Sequence, residues 1–293
     1  MINWANKLNR KKKTIVFLVI VLIIAGALYY GNKTVEISRY KIYSTRLPAE
    51  FDNFKILQLS DLHSKQFGNE NWRLLRIINK EKPDIIAMTG DMVSTSDDNY
   101  EIFYELSRNL AKRYKVYYVV GNHEQILMDD RIIHFLESNG VTVLDNEKVK
   151  IEGKNSSINL YGLWFNLKYY KDMNDPYTKD LYFGFDTMQK TLGIPNSKEY
   201  NILLTHNPMY FPTYAQWGAD LTLSGHVHGG VVIIPFKGGL LSPERDFFPE
   251  YYGGLYSIKE RKMIVNRGLG NGKFGIRIFN RPEVTVITLS NEN

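Results

Sequence analysis

There is no cysteine in this chain of 293 residues. Disulfides and thiolate-bound zinc are excluded, and any metal must be held by nitrogen and oxygen. No tandem repeat or low-complexity tract is present. Acidic residues are missing from the first thirteen positions, which hold Lys7, Arg10, Lys11, Lys12 and Lys13. That local lack explains nearly all of the formal charge of +6, because the rest of the chain sets 32 of the 37 basic side chains against all 31 acidic ones. Basicity confined to one terminus is not a stripe on a folded surface, so no nucleic-acid-binding face is implied. A twin-arginine pair is absent too: Arg10 is followed by Lys11, and export by that route has no support.

Long apolar runs are scarce. The one that stands out, Thr14 to Tyr30, carries no charge and is mostly Ile, Val and Leu. A membrane-spanning helix takes about 20 apolar residues, with a range of roughly 17–25. A buried core helix would carry some polar face, and this run has none. Residues 1–31 are expected to be a basic cytoplasmic tail and a transmembrane signal anchor, with the rest of the chain beyond the linker extracytoplasmic, because a cationic flank stays inside. The rival reading is a cleavable signal peptide, with Ala25-Gly26-Ala27 as the cleavage site and a secreted product.

Beyond a linker over residues 32–54, with an edge strand near Val35–Ile42, apolar runs alternate with helical spacing. Lys55–Leu59, Asp84–Met88 and Val116–Val120 read as strands. Glu70–Lys80, Asn99–Lys112 and Asp130–Ser138 read as helices, stopped by Pro83 in the first case and by Asn139-Gly140 in the last. This rhythm argues for parallel strands with crossover helices. Later segments, Lys148–Ile151, Ile158–Trp164, Asn201–Leu204, Leu221–Leu223, Val231–Ile234, Met263–Asn266 and Val284–Leu289, add further strands. The fold class expected is α/β: two packed mixed sheets with helices outside, in a catalytic domain over residues 55–290.

Five of the six histidines fall in short polar clusters near these strands; only His134, in a helical pattern, does not. The clusters are Asp61-Leu62-His63, Gly90-Asp91, Gly121-Asn122-His123-Glu124, His206-Asn207 and Gly225-His226-Val227-His228. In α/β sheets, ligands bind outside the carboxyl ends of strands. Five clusters after five strands could therefore converge on one rim, with Gly90, Gly121 and Gly225 letting the backbone turn. Hard oxygens beside imidazoles suit a pair of divalent ions such as Mn, Fe or Zn. Two such ions can clamp the attacking and leaving oxygens of a phosphoryl displacement.

In order and spacing these motifs resemble those of the calcineurin-like metallophosphoesterase superfamily. Ser60–Ser64, Gly229-Gly230, Asn266–Gly270 and Asn280–Glu283 resemble its bacterial membrane-linked YkuE-like and YaeI-like branch. The resemblance runs from about Lys55 to the C-terminus. It implies a four-layer α-β-β-α fold and a phosphoesterase that hydrolyses phosphomonoesters or phosphodiesters by attack of a metal-bridging hydroxide. It implies that one metal takes Asp61, His63 and His228, the other Asn122, His206 and His226, and that Asp91 bridges them. His123 becomes a general acid or a clamp on a phosphoryl oxygen, with Asn122, His123 and Arg267 as substrate contacts; a loop salt bridge is the competing reading of Arg267. The expected substrate is an envelope or lipid-linked phosphate, reached from the membrane tether. A catalytically inactive metal-binding scaffold and a broad nucleotide phosphodiesterase are the alternatives.

Two positions depart from the resemblance. Ser94 stands where an Asp usually orients the histidine of Gly-Asn-His, which leaves Ser94 itself, Asp97, Asp61 or a backbone carbonyl to orient His123. Val231 stands where Gln is frequent. Glu124 reads as loop support. The aromatics Tyr169, Tyr170, Tyr177, Tyr182 and Phe183 read as loop packing, with a lipid or sugar contact as the sharper option. Gly270–Gly275 fits G-x-G-x-x-G literally but opens no helix, so no dinucleotide site follows.

Overall fold

The computed structural model describes residues 2–170, 181–272 and 275–292. In chain order the strands are β1 (Glu36–Tyr43), β2 (Lys55–Leu59), β3 (Ile85–Thr89), β4 (Lys115–Val119), β5 (Val141–Val143), β6 (Glu147–Glu152), β7 (Ser157–Leu163), β8 (Asn201–Thr205), β9 (Leu221–Ser224), β10 (Ile233–Ile234), β11 (Gly238–Gly239), β12 (Gly254–Ile258), β13 (Arg261–Val265) and β14 (Glu283–Ser290). The helices are α1 (Ile2–Lys33), α2 (Trp72–Glu81), α3 (Glu101–Ala111), α4 (Asn122–Leu127), α5 (Asp130–Ser138), α6 (Phe185–Leu192) and α7 (Phe211–Trp217).

Two six-stranded sheets form, in the orders β1-β14-β2-β3-β4-β5 and β12-β13-β9-β8-β7-β6. The β2-to-β5 run is parallel, as the alternating strands and helices lead one to expect. Alternation along the strands builds the layers, since successive side chains point to opposite faces. Ile56 and Ile85 face the second sheet, where they meet Ile202, Leu204, Leu221, Leu223 and Ile264. Their neighbours Leu57 and Ile86 face Leu74, Ile78, Phe103, Leu106 and Leu136 of the helices. On the far side, Tyr161, Leu163 and Leu203 are covered by Met188, Tyr214 and Trp217 from α6 and α7. The architecture is helix, sheet, sheet, helix.

Local signals explain the helix ends. Asp129 caps α5 by accepting from the Arg131 N–H at 3.1 Å, and Lys82, in the left-handed conformation, closes α2 just before Pro83. The stretch after α1 is taken up in the fold rather than free. The expected edge strand forms as β1, and it pairs in parallel with β14 along its whole length. Only Thr34 and Val35 separate α1 from β1. Within α1, residues Lys11–Lys33 are long and apolar enough to cross a membrane, and the side chains from Ile15 to Ile24 are 43–70% exposed.

Candidate metal centre

Each polar cluster leaves the carboxyl end of a central strand: Asp61 and His63 after β2, Asp91 after β3, Asn122 and His123 after β4, His206 after β8, and His226 and His228 after β9. The loops are stitched together by main-chain bonds, among them Asp61 N–H to Gly90 O at 2.9 Å, His63 N–H to Asp91 O at 3.1 Å and Gly225 N–H to His206 O at 3.1 Å. Asp61, His63, Asp91, His226 and His228 all have φ between 45° and 73°. That left-handed region is uncommon for residues other than glycine, and strain of this kind concentrates at functional sites. Gly90 shares it, with φ 88°. Gly121 is needed for a different reason than a turn: a Cβ there would run into the Asp91 carboxylate.

The side chains converge in three groups whose ligand atoms lie within 4.8 Å of one another: Asp61 with His63 and His228, Asp91 with His206 and His226, and His63 with Asp91 and His123. Among the described residues, Asn122 Oδ1, His206 Nε2 and His226 Nδ1 are buried here without a hydrogen-bond partner. Buried polar atoms are rarely orphaned, and these are of the kinds that ligate metals. The residues present therefore fit divalent ions.

Outer contacts fix which nitrogen faces inward. His206 Nδ1 donates to the Thr89 carbonyl at 2.6 Å and turns Nε2 toward Asp91 Oδ2, 3.2 Å away. His226 Nε2 bonds Glu244, which leaves Nδ1 free. His63 Nδ1 meets Ser94 Oγ at 3.1 Å, and the His63 and His228 Nε2 atoms stand 3.0 Å apart. Such partners orient ligating imidazoles and tune their basicity.

Charge is unevenly distributed. Burial opposes a proton on His206, yet Asp91 and Asp61 outweigh it and push its pKa up to about 10. Burial likewise opposes charge on Asp91, but His206, His123 and His63 hold it well below the usual carboxylate range. Burial pushes His63 and His228 down, so these two are kept neutral. Burial and then Asp91 lift Glu124 to about 7, against the pull of backbone donors.

Glu124 is the loop support expected. Its carboxylate accepts from the N–H groups of Asp91, Met92, Val93 and Gly121 at 2.7–3.1 Å, clasping two of the ligand loops. None of the groups expected to orient His123 does so. Its Nδ1 accepts from the Thr95 N–H at 3.0 Å, Ser94 turns to His63, and Asp97 binds the Ser64 hydroxyl and the Ser94 N–H. With Nδ1 as acceptor, Nε2 is the ring's donor toward the cleft. Arg267, expected among the substrate contacts, lies elsewhere: its guanidinium pairs with Glu283 at 3.0 Å and Glu36 at 3.2 Å. Its salt-bridge reading is the one the geometry supports.

Beside the centre lies a cleft of about 280 Å³ lined by His63, Asp91, Asn122, His123, His226, His228, Val231, Arg245, Asn271 and their neighbours. Glu244, Arg245 and Arg277 escaped the sequence reading. Arg277 is 1% exposed and donates to the Gly270 and Arg267 carbonyls, with an Nη2 contact to His228 Nδ1 at 3.3 Å. No motif marks these three; they reach the site from loops distant in sequence. Among the flagged aromatics, Tyr169 and Phe183 pack with Phe165 and Tyr210, and the Tyr170 ring lies 5.0 Å from that of His226. Tyr177 lies outside the described residues.

A four-layer fold with His, Asp and Asn side chains converging at the strand ends defines a metal-dependent phosphoesterase, a hydrolase acting on phosphoric ester bonds. The chain belongs to the calcineurin-like phosphoesterase family, whose model matches residues 54–230. It is 30% identical to the metallophosphoesterase YkuE of Bacillus subtilis, over 91% of this chain and 90% of that protein. It is 30% identical to the phosphodiesterase YaeI of Escherichia coli, over 80% and 82%. A bovine transmembrane protein with a metallophosphoesterase domain is 26% identical over 97% of this chain and 63% of that protein.

Proposed function

We propose that the protein is a dinuclear, membrane-tethered phosphohydrolase. Asp61, His63 and His228 would hold one divalent ion, Asn122, His206 and His226 the other, and Asp91 would serve both. The observation that carries this reading is a set of buried atoms with free lone pairs or no hydrogen-bond partner, Asn122 Oδ1, His206 Nε2 and His226 Nδ1, with His206 Nε2 3.2 Å from Asp91 Oδ2. Ions bound there would supply Lewis acidity and a water acidified far below its usual pKa of about 15.7. The chain's own groups do the rest. His123 offers Nε2–H to a phosphoryl or leaving oxygen from its place at the cleft wall. Arg245 brings a cation to the cleft, where it attracts the phosphate ester. The catalytic unit begins at β1 and ends at β14. The tether is α1, with that unit outside the cytoplasm, an orientation supported by the cationic flank from Lys7 to Lys13. The substrate is a phosphomonoester or phosphodiester of the envelope.

The test uses the full chain in detergent, stripped of metal and reloaded with Mn, Fe or Zn, on p-nitrophenyl and bis-p-nitrophenyl phosphate. Metal-restored turnover is expected. Asp91→Asn is expected to lower it by more than the roughly 10–100-fold that losing an outer ligand partner costs. Turnover that ignores both metal and Asp91 would falsify the mechanism.

A further inference from the structure

Outside α1, several of the most exposed large apolar side chains gather in one place. Phe236 is fully exposed, Phe247 and Phe279 are 72% and 66% exposed, and Phe248 and Ile276 are about half exposed. The segments that carry them lie side by side. Val232 and Ile278 form a parallel bridge, and the Ile233 N–H donates to the Ile278 carbonyl at 3.1 Å. β10 and β11 form a hairpin with Phe236 in its turn. On the other side the Phe248 N–H donates to Leu240 O at 3.0 Å, and Leu241 bridges Phe247. The result is a strip four segments wide, over residues 276–279, 231–236, 238–241 and 246–248, whose exposed side chains are apolar apart from Asp246.

This strip touches the last turn of α1. Asn32 Nδ2 donates to the Arg277 carbonyl at 3.3 Å, and Gly31 packs so close that a Cβ there would lie 3.1 Å from the same oxygen. Just before this contact Tyr29 and Tyr30 are 70% and 53% exposed, and the Arg281 guanidinium lies over the Tyr30 ring. Exposed aromatics at the end of an apolar run mark the membrane–water boundary. The same loops also build the cleft, since Val231 and Arg245 belong to the strip's side of the cleft wall, as do Asn271 and Gly272 just before residue 276.

We propose that the strip seats in the head-group layer of the membrane that α1 enters, so that the cleft opens at the bilayer surface and takes phosphate esters carried by amphiphiles. The inference rests on reading α1 as an anchor and the cleft as the phosphoesterase centre. Contiguous exposed apolar surface marks an interaction face. Its continuity with the end of α1 selects lipid as the occupant, because the short connection to β1 leaves the strip within reach of the same bilayer. Aromatic and aliphatic side chains gain by entering the boundary of head groups and acyl chains.

The absence of cysteine makes the test direct. A nitroxide is placed on Phe236→Cys, on Phe279→Cys and, as a control, on Ile194→Cys, an exposed site just beyond α6. Each full-length variant is reconstituted in phosphatidylcholine–phosphatidylglycerol vesicles. Labels at 236 and 279 are expected to collide mainly with oxygen, and the label at 194 mainly with a water-soluble nickel chelate. Three equal ratios overturn the proposal, as does dipolar broadening that shows a second copy covering the strip. In the activity arm, Phe236→Asp with Phe279→Asp is expected to lower hydrolysis of phosphatidic acid in vesicles about ten-fold, while turnover of bis-p-nitrophenyl phosphate stays within about two-fold. Equal loss on both esters overturns it. A parent that cleaves the soluble ester but no vesicle-borne one overturns the substrate class. A parent that cleaves neither sinks the phosphoesterase reading, and the labels still judge the docking separately.

Discussion

His206 and Asp91 face each other across 3.2 Å in the pocket proposed to hold metal. In the metal-free chain His206 has its pKa raised from about 6.5 to about 10 by the carboxylates around it. A raised histidine contributes stability that is fully present below about pH 6.5 and lost as the pH climbs through about 10. The depressed Asp91 works at the acid end, contributing stability that is present above the ordinary carboxylate range and lost as the pH falls toward its own value. If His206 ligates a metal as proposed, uptake must displace its proton. Stripped protein titrated with Mn or Zn at pH 7.5 is expected to release protons, and metal affinity to rise with pH up to about 10. Calorimetry in two buffers of different ionisation enthalpy measures this; a buffer-independent heat would refute it. Glu244→Gln, which loosens His226, is expected to cost roughly 10–100-fold in metal affinity by competition with a chelator, with little change in fold. Glu244 was not readable from the sequence because the bond to His226 spans eighteen residues and depends on how the β10–β11 hairpin folds back. Asp61 and His63 were readable because strand β2 and a short polar motif carry them together.

At the scale of elements, strong local pattern and tertiary support coincide in some places and not in others. Lys55–Leu59 and Asp130–Ser138 form as expected to the residue. There a run of branched apolar residues or a 3.6-residue period ends at an unambiguous breaker. Helices α6 and α7 gave no such signal. Phe211–Trp217 mixes three aromatics with Thr213, Ala215 and Gln216, has Pro212 in its first turn, and packs over Tyr161 and Leu203 through Tyr214 and Trp217. β12 escaped as well, because its alternation is visible only once β13 provides a partner. The inter-sheet layer is where packing matters most. Leu204 is wholly buried there, and Leu204→Ala is expected to cost about 2–5 kcal/mol by denaturant unfolding in detergent, through lost burial and the cavity left behind. A cost below 1 kcal/mol would contradict the two-sheet core.

On the scale of the whole molecule, α1 and the two-sheet unit are joined by structure rather than by a long linker. Two residues join α1 to β1, Arg281 reaches back to Thr34 at 3.0 Å and Val35 at 3.0 Å, and β1 is an edge strand of the sheet that holds Asp61 and Asp91. The position of β14 sets the order in which this arrangement can be completed. It is the last strand of the chain, yet it lies between β1, the first, and β2, with Glu36 opposite Glu283 and Lys55 opposite Thr288. Until those final residues leave the ribosome, β1 has no neighbour and β2 lacks one edge. Pairings this distant in sequence close late. If α1 is the proposed anchor, it can enter a membrane during synthesis while β1 and β2 still await β14. Nascent chains stopped at residue 282 are expected to stay protease-sensitive through β2 and β3, and release of the full chain to protect them. On that reading biogenesis runs anchor first and catalyst last, and a chain lacking β14 is expected to sediment with membranes yet show no metal-restored turnover.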